Sequence, residues 1–257
     1  MSLIEIQEIA KTYGGIHALA GCTLSFEEGH ISGLIGPNGS GKTTLFNVLT
    51  GYEQPDSGSV RFDGDEITRL SPDKVFDRGI GRTFQLTRIF PRMNVVENLH
   101  VAAQRSGGFR SELSRWSSAS ERARAKEVLD FVGLTRLASE MAGNLSYGQQ
   151  KLLEFGCIII ARPRVILLDE PAGGINPTLL RHLASRIRAL NDEGITFVVV
   201  EHDMEFVMGL CHKVCVMHQG RTLCSGHPDV VRQDPLVLEA YLGTDMRETD
   251  LTRSGAH

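Results

Sequence analysis

Gly36-Pro37-Asn38-Gly39-Ser40-Gly41-Lys42-Thr43-Thr44 is the stretch on which the reading of this chain turns. Before it stands the short apolar run Ile31-Ser32-Gly33-Leu34-Ile35, and after it Leu45, Val48 and Leu49 fall at helical spacing through Thr50. Strand, glycine loop and helix are therefore expected in that order. The residues from Gly36 to Thr43 match GxxxxGK[ST], whose glycines let the backbone curl until several N–H groups converge on phosphate oxygens. The helix N-terminus and the Lys42 ammonium add positive potential at the same place, and the Thr43 hydroxyl suits Mg²⁺. A bare glycine turn beside a surface lysine is the competing explanation, and the flanking strand and helix weigh against it. A phosphate loop alone does not separate kinases, GTPases, helicases and transport ATPases, because one fold hosts many functions.

The 257 residues are 41% apolar and suffice for one large domain or two small ones. A formal charge of −4 provides no electrostatic footprint for nucleic acid, which is not expected as a partner. The five cysteines are scattered without a CxxC pair, which favours a reducing compartment over a disulfide framework or zinc ribbon. Glu5 and Glu8 sit where a signal peptide needs a basic and then apolar segment, so a cytoplasmic protein is expected. Apolar runs such as Ile195 to Val200 are far shorter than the ~20 residues of a membrane span, so any membrane is crossed by another chain.

Leu3 to Phe26 alternates and is broken by Gly14-Gly15 and Gly21, which predicts antiparallel strands. Val60 to Phe62 with Asp63-Gly64 predicts a further strand and turn, and Ser71-Pro72 a helix start. From about Val95 to Leu145 the pattern is helical, interrupted by a Ser, Gly and Arg-rich stretch at Arg105 to Ser120 that reads as a mobile insertion. Val165 to Leu168 and Thr196 to Val200 are continuous apolar runs, as in strands of a parallel sheet covered on both faces. The predicted class is α/β, with a small N-terminal antiparallel β element and an inserted helical subdomain.

Asp169 and Glu170 follow the first of those buried runs, at a strand's carboxyl end where open α/β sheets bind ligands. Asp169 is suited to orienting hydrated Mg²⁺, and Glu170 to positioning or deprotonating a water in line with a γ-phosphate. Leu145-Ser146-Tyr147-Gly148-Gln149-Gln150 opens another helix on a serine, either as a simple cap or as a second anion cradle. LSYGQQ resembles the LSGGQ signature of ABC ATPases and precedes Asp169-Glu170 as in that family, with Tyr147 in place of the commoner glycine.

The resemblance implies the ABC ATPase fold, a P-loop NTPase (RecA-like) core, over a single domain of residues 1–257. Residues 1–90 would hold the β-subdomain and first part of the core. Residues 91–150 would be the helical subdomain with the signature, and 151–257 the second part of the core with a C-terminal extension. It also implies ATP and Mg²⁺ as ligands. Tyr13 matches the aromatic that stacks on adenine, with Ala18, Pro37, Asn38, Gly39, Ser40, Gly41, Lys42, Thr43 and Thr44 around the nucleotide. Ser146, Gly148 and Gln149 would close over ATP held by a second ATPase subunit, in a head-to-tail dimer. Gln85 matches the Q-loop glutamine, a metal and catalytic position alongside Thr43 and Asp169, and His202 the switch histidine beside Glu170.

Gly81 to Phe90 continuing to Leu99, Asp169-Glu170-Pro171-Ala172-Gly173-Gly174-Ile175-Asn176-Pro177, Glu201-His202-Asp203-Met204 and Ala240-Tyr241-Leu242-Gly243 are similar to ATPase subunits of branched-chain amino acid importers. Gly173 and Ile175 are the departures. The resemblance implies two membrane permeases as partners, with a solute-binding protein acting indirectly from outside, and a peripheral place on the inner face of the membrane. Residues 86 to 99 would help form the permease-docking groove. Urea and other small-solute importers have related ATPases, and a soluble ABC ATPase is the remaining alternative, lacking here its usual coiled-coil insertion or second nucleotide module. Cys211, His212, Cys215 and His218 do not have zinc spacing. Met204 and Met208 share a helical face suited to core packing.

Overall fold

The computed structural model describes residues 2–83, 89–103 and 119–241. The chain opens on the expected antiparallel pair, β1 (Ser2–Tyr13) and β2 (Ile16–Glu27), which reverse at Gly14-Gly15. Next come β3 (Ile31–Ile35), the phosphate loop and α1 (Lys42–Leu49), the predicted strand, loop and helix. β4 (Ser57–Phe62) ends in the predicted turn at Asp63-Gly64, both at positive φ, 52° and 80°, and pairs beyond it with a short β5 (Asp65–Glu66) that the reading did not include. α2 (Pro72–Asp77) starts on its proline, and β6 (Ile80–Arg82) follows.

The helical stretch resolves into α3 (Val95–Ala103), α4 (Ala119–Val132) and α5 (Tyr147–Ile160). The insertion read at Arg105 to Ser120 falls outside the described residues except for its last two positions, which begin α4. Then come β7 (Val165–Asp169), α6 (Pro177–Asp192), β8 (Thr196–Val200), α7 (Met204–Leu210), β9 (Lys213–His218), β10 (Arg221–Gly226) and α8 (Pro228–Arg232). The cysteine and histidine cluster dismissed as a metal site is the end of α7 running into β9, a strand whose Cys215 is buried. In α7 the buried side chains are Val207 and Leu210, while Met204 and Met208 are half-buried.

Two compact units divide after Pro72 and after Phe197. The first, made of the chain before and after the second, contains a four-stranded antiparallel sheet ordered β2-β1-β4-β5. It also contains β3 paired in parallel with β9, from Ser32 opposite Lys213 to Ile35 opposite Val216, and β10 antiparallel to β9. All five residues of β3 are buried, Ser32 among them. The second unit holds β6 parallel to β7, with Arg82 opposite Leu167, and the helices α3 to α6. α5 packs on α3 and α4 at Gly156, where a Cβ would stand 3.3 Å from Val128 Cγ1 and 3.4 Å from Leu99 Cδ2. Each five-residue strand β7 and β8 is buried throughout, as predicted for strands covered on both faces. Among the described residues no helix is long and apolar enough to cross a membrane.

Candidate nucleotide site

In the first unit the phosphate loop leaves β3 at Gly36 and enters α1 at Lys42. Its backbone requires glycine. At Gly36 (φ 151°) a Cβ would stand 2.1 Å from the Met217 carbonyl oxygen, and at Gly41 (φ 101°) 2.4 Å from that of Ala18. Ala18 thus abuts the loop through its carbonyl. Gly41 is also the N-cap of α1 and offers no side chain to the helix's first N–H groups, and the first turn has no acidic residue. The N-terminal end of the helix therefore retains a positive potential, which suits an anion such as phosphate. The Lys42 ammonium curls over the loop, donating to the carbonyls of Gly36 (2.8 Å) and Pro37 (2.9 Å) and to Ser40 Oγ at 3.3 Å. Pro37 and Ser40 are buried, whereas Asn38, Gly39 and Thr43 are exposed.

Tyr13, at the end of β1, is 43% exposed, so its ring is available for stacking. The Lys11 ammonium stands 5.4 Å from the ring centroid. Partial burial and then the Glu53 carboxylate push the Tyr13 phenol above its ordinary value, with Asp56 adding to them and the Thr44 hydroxyl opposing. That places Tyr13 beside the first turn of α1. A cavity of about 450 Å³ also touches the loop, lined by Pro37 to Ser40 and by His218, Leu236 and Glu239. Nearby, burial raises the Tyr241 phenol, and the Gly36 N–H works against that rise.

His202 follows β8, with its side chain 68% exposed and Nδ1 3.7 Å from Glu201 Oε2. Glu201 is fully buried, and its Oε2 accepts the backbone N–H of His202 at 3.1 Å and of Asp203 at 3.5 Å. Asp203 then caps α7 by accepting from the Phe206 N–H at 3.0 Å. The histidine therefore projects from a braced turn.

In the second unit Asp169 and Glu170 stand at the carboxyl end of β7. Asp169 is buried, at 5% exposed, and its Oδ2 accepts from Arg82 Nη2 at 2.9 Å. Its backbone N–H donates to Thr83 Oγ1 at 3.0 Å. Glu170 is half-buried and occupies the left-handed region at φ 48°, where its carbonyl accepts from the Gly173 N–H at 3.1 Å. A non-glycine residue there stores backbone strain of roughly 1–2 kcal/mol.

Ser146 caps α5 in a capping box: its Oγ accepts from the Gln149 N–H at 3.4 Å, and Gln149 Oε1 accepts from the Ser146 N–H at 2.9 Å. Gly148 lies so near α6 that a Cβ would stand 2.5 Å from Leu179 Cδ2, and the Tyr147 ring packs on Gly174 of the turn after β7. Gln85, expected at both the metal and the catalytic position, lies outside the described residues.

Arg82, Thr83 and Glu201 stand out only in the structure. Each stood inside a quoted motif, but only burial and pairing reveal a charged or polar side chain as a brace. The first unit thus carries a glycine loop that opens a helix, and the second a strand-end Asp-Glu pair. The chain belongs to the ABC transporter family, whose pattern matches residues 19–173, and residues 221–246 match that of the branched-chain amino acid ATP-binding cassette transporters. It is a transport ATPase that hydrolyses ATP.

It is 41% identical to the high-affinity branched-chain amino acid transport ATP-binding protein BraF of Pseudomonas aeruginosa, over 94% of this chain and 98% of that one. Its fold is similar to the ADP conformation of an ATP-binding cassette of an ABC transporter, with TM-score 0.85 and 33% identity over 95% and 99% of the two chains. It is also similar to a dimeric post-hydrolysis cassette bound to ADP and phosphate, with TM-score 0.76 and 26% identity over 88% and 98%. The predicted fold and family are thus established, and with them nucleotide binding.

Proposed function

We propose that this chain energises an importer of branched-chain or closely related apolar amino acids, as one of two cytoplasmic ATPases beneath two membrane permeases. The observation that carries the reading is its similarity, over nearly its whole length, to an ATP-binding protein named for branched-chain amino acid transport. The C-terminal match to that transporter group supports it independently of the ATPase motifs.

In this reading Tyr13 stacks on adenine while the loop from Pro37 to Thr44 and the Lys42 ammonium hold the phosphates, Lys42 exchanging loop carbonyls for phosphate oxygens. The oxygen donors Thr43 and Asp169 fit a hard dication, with Gln85 as a further donor. Mg²⁺, when bound, neutralises charge on the β- and γ-phosphates. Glu170 accepts a proton from the attacking water, and His202 donates a hydrogen bond to the γ-phosphate. Ser146, Gly148 and Gln149 act on the nucleotide of a facing subunit, for which the dimeric ADP and phosphate form of a related cassette provides precedent. Loss of γ-phosphate contacts then opens the dimer and moves the permeases.

The test is reconstitution of the chain with its co-purifying permeases and binding protein in proteoliposomes, with internal ATP. Uptake of labelled leucine, isoleucine or valine is expected, competed by the others. Uptake of urea alone, or of none of these with ATPase intact, would show the cargo assignment to be wrong.

A further inference from the structure

Asp169 is held from two sides by consecutive residues at the end of β6. Arg82 Nη2 donates to its carboxylate Oδ2 at 2.9 Å, with the two side chains only 5% and 7% exposed. The Thr83 hydroxyl accepts its backbone N–H at 3.0 Å, and the Thr83 N–H donates to the Leu167 carbonyl at 2.9 Å. Arg82 itself is in register with Leu167 across the parallel β6 and β7 pair. Backbone and carboxylate of one residue are therefore tied to one neighbouring strand.

As a stabilising device the ion pair is poor, since desolvating two charges offsets most of their attraction. Its distinctive effect is orientation. A guanidinium is planar, permanently charged and fixed in direction, so it sets the plane of the carboxylate it binds. With Nη2 on Oδ2, Arg82 commits one oxygen and directs the other.

We propose that Arg82 is a positioning residue for Mg²⁺, acting through Asp169, and that Thr83 fixes the backbone from which that carboxylate projects. The proposal rests on the reading of Asp169 as the metal-orienting carboxylate. It extends that reading to a side chain on β6, three positions before Gln85 in sequence.

The experiment measures binding of a fluorescent ATP analogue with Mg²⁺ and with EDTA, and of Mn²⁺ by electron paramagnetic resonance in the presence of ATP, without turnover as a readout. Arg82→Met is expected to weaken Mn²⁺ and the Mg²⁺-dependent part of nucleotide affinity about tenfold or more, as loss of an outer-sphere partner does. Nucleotide affinity in EDTA should stay within about twofold, because the phosphate loop is untouched. Arg82→Lys should recover part of the metal affinity, keeping the charge and losing the fork. If Arg82→Met does not fold, Arg82→Lys carries the test. Unchanged Mn²⁺ affinity in the folded variant overturns the proposal. Asp169→Asn separates the two layers: if it removes metal dependence while Arg82 variants do not, only Arg82's role falls. If Asp169→Asn leaves metal dependence intact, the reading of Asp169 falls with it.

Discussion

Lys42 and Glu170 illustrate how far a single side chain can be read. The ammonium of Lys42 already engages three oxygens of its own loop, so in the proposed site nucleotide binding is an exchange of acceptors rather than capture by an idle charge. Lys42→Ala is expected to weaken ATP at least tenfold by calorimetry, the scale of one lost charge-assisted contact of about 1.5–3 kcal/mol. Glu170→Gln keeps the shape at a left-handed backbone position and removes the base. It should retain ATP, reduce hydrolysis by about 10²-fold or more, and accumulate an ATP-dependent dimer in size exclusion. Undiminished turnover in Glu170→Gln, or unaltered ATP affinity in Lys42→Ala, would remove the assigned role. Both residues were legible because their motifs constrain spacing and context. Arg82 was not, because a buried arginine and an exposed one look alike in sequence.

At the level of elements, the start of α5 has one duty within the chain and a second only in the proposed function. Its capping box satisfies N–H groups at the helix start, and Gly148 leaves room for the Leu179 methyl, which a Cβ there would approach to 2.5 Å. Local packing thus accounts for Ser146 and Gly148 within one chain, while the proposed contact with a facing subunit's ATP would use the same serine. The two uses separate on substitution. Ser146→Ala is expected to lower the stability of the isolated chain by about 1 kcal/mol in urea unfolding, and Ser146→Asn, a competent cap, to restore it. If Ser146 also serves ATP across a dimer, Asn should leave ATPase activity low despite the restored stability; full activity in Ser146→Asn would reduce the residue to a cap. β6 shows the opposite case of legibility. Ile80-Gly81-Arg82 has no apolar run or alternation to read, and becomes a strand only by pairing with β7.

Across the whole molecule, buried thiols tie stability to pH. Burial pushes Cys157 and Cys211 up to about 12 and Cys215 up to about 11, from an ordinary 9.0, with the neighbouring Glu154 and Cys215 adding to the first two. The folded chain keeps these protons where the unfolded chain releases them. Their contribution is therefore complete below about pH 9 and is lost progressively as pH rises toward 11–12, because the unfolded state then binds fewer protons. Urea midpoints measured from pH 8 to 10.5 should fall with pH, and fall less steeply in Cys211→Ala than in the parent chain. Equal slopes would count against a buried, protonated thiol at 211.

The phosphate loop, the strand-end Asp-Glu pair and the α/β class were legible in sequence because each rests on local chemistry, and the family because its motifs occur in order along the chain. Glycine at positive φ, a lysine at fixed spacing and an unbroken apolar run are visible within ten residues. Which side chains hold those groups in place emerges only from the long-range packing. Arg82 meets Asp169 across 87 positions, the Thr83 hydroxyl meets the Asp169 amide across 86, and the Gly41 backbone is pressed to the Ala18 carbonyl. Such contacts depend on strand order and register, which long-range pairing sets and no local pattern encodes. The phosphate loop could be recognised at once, whereas the hold on its proposed metal carboxylate appeared only when β6 was seen beside β7.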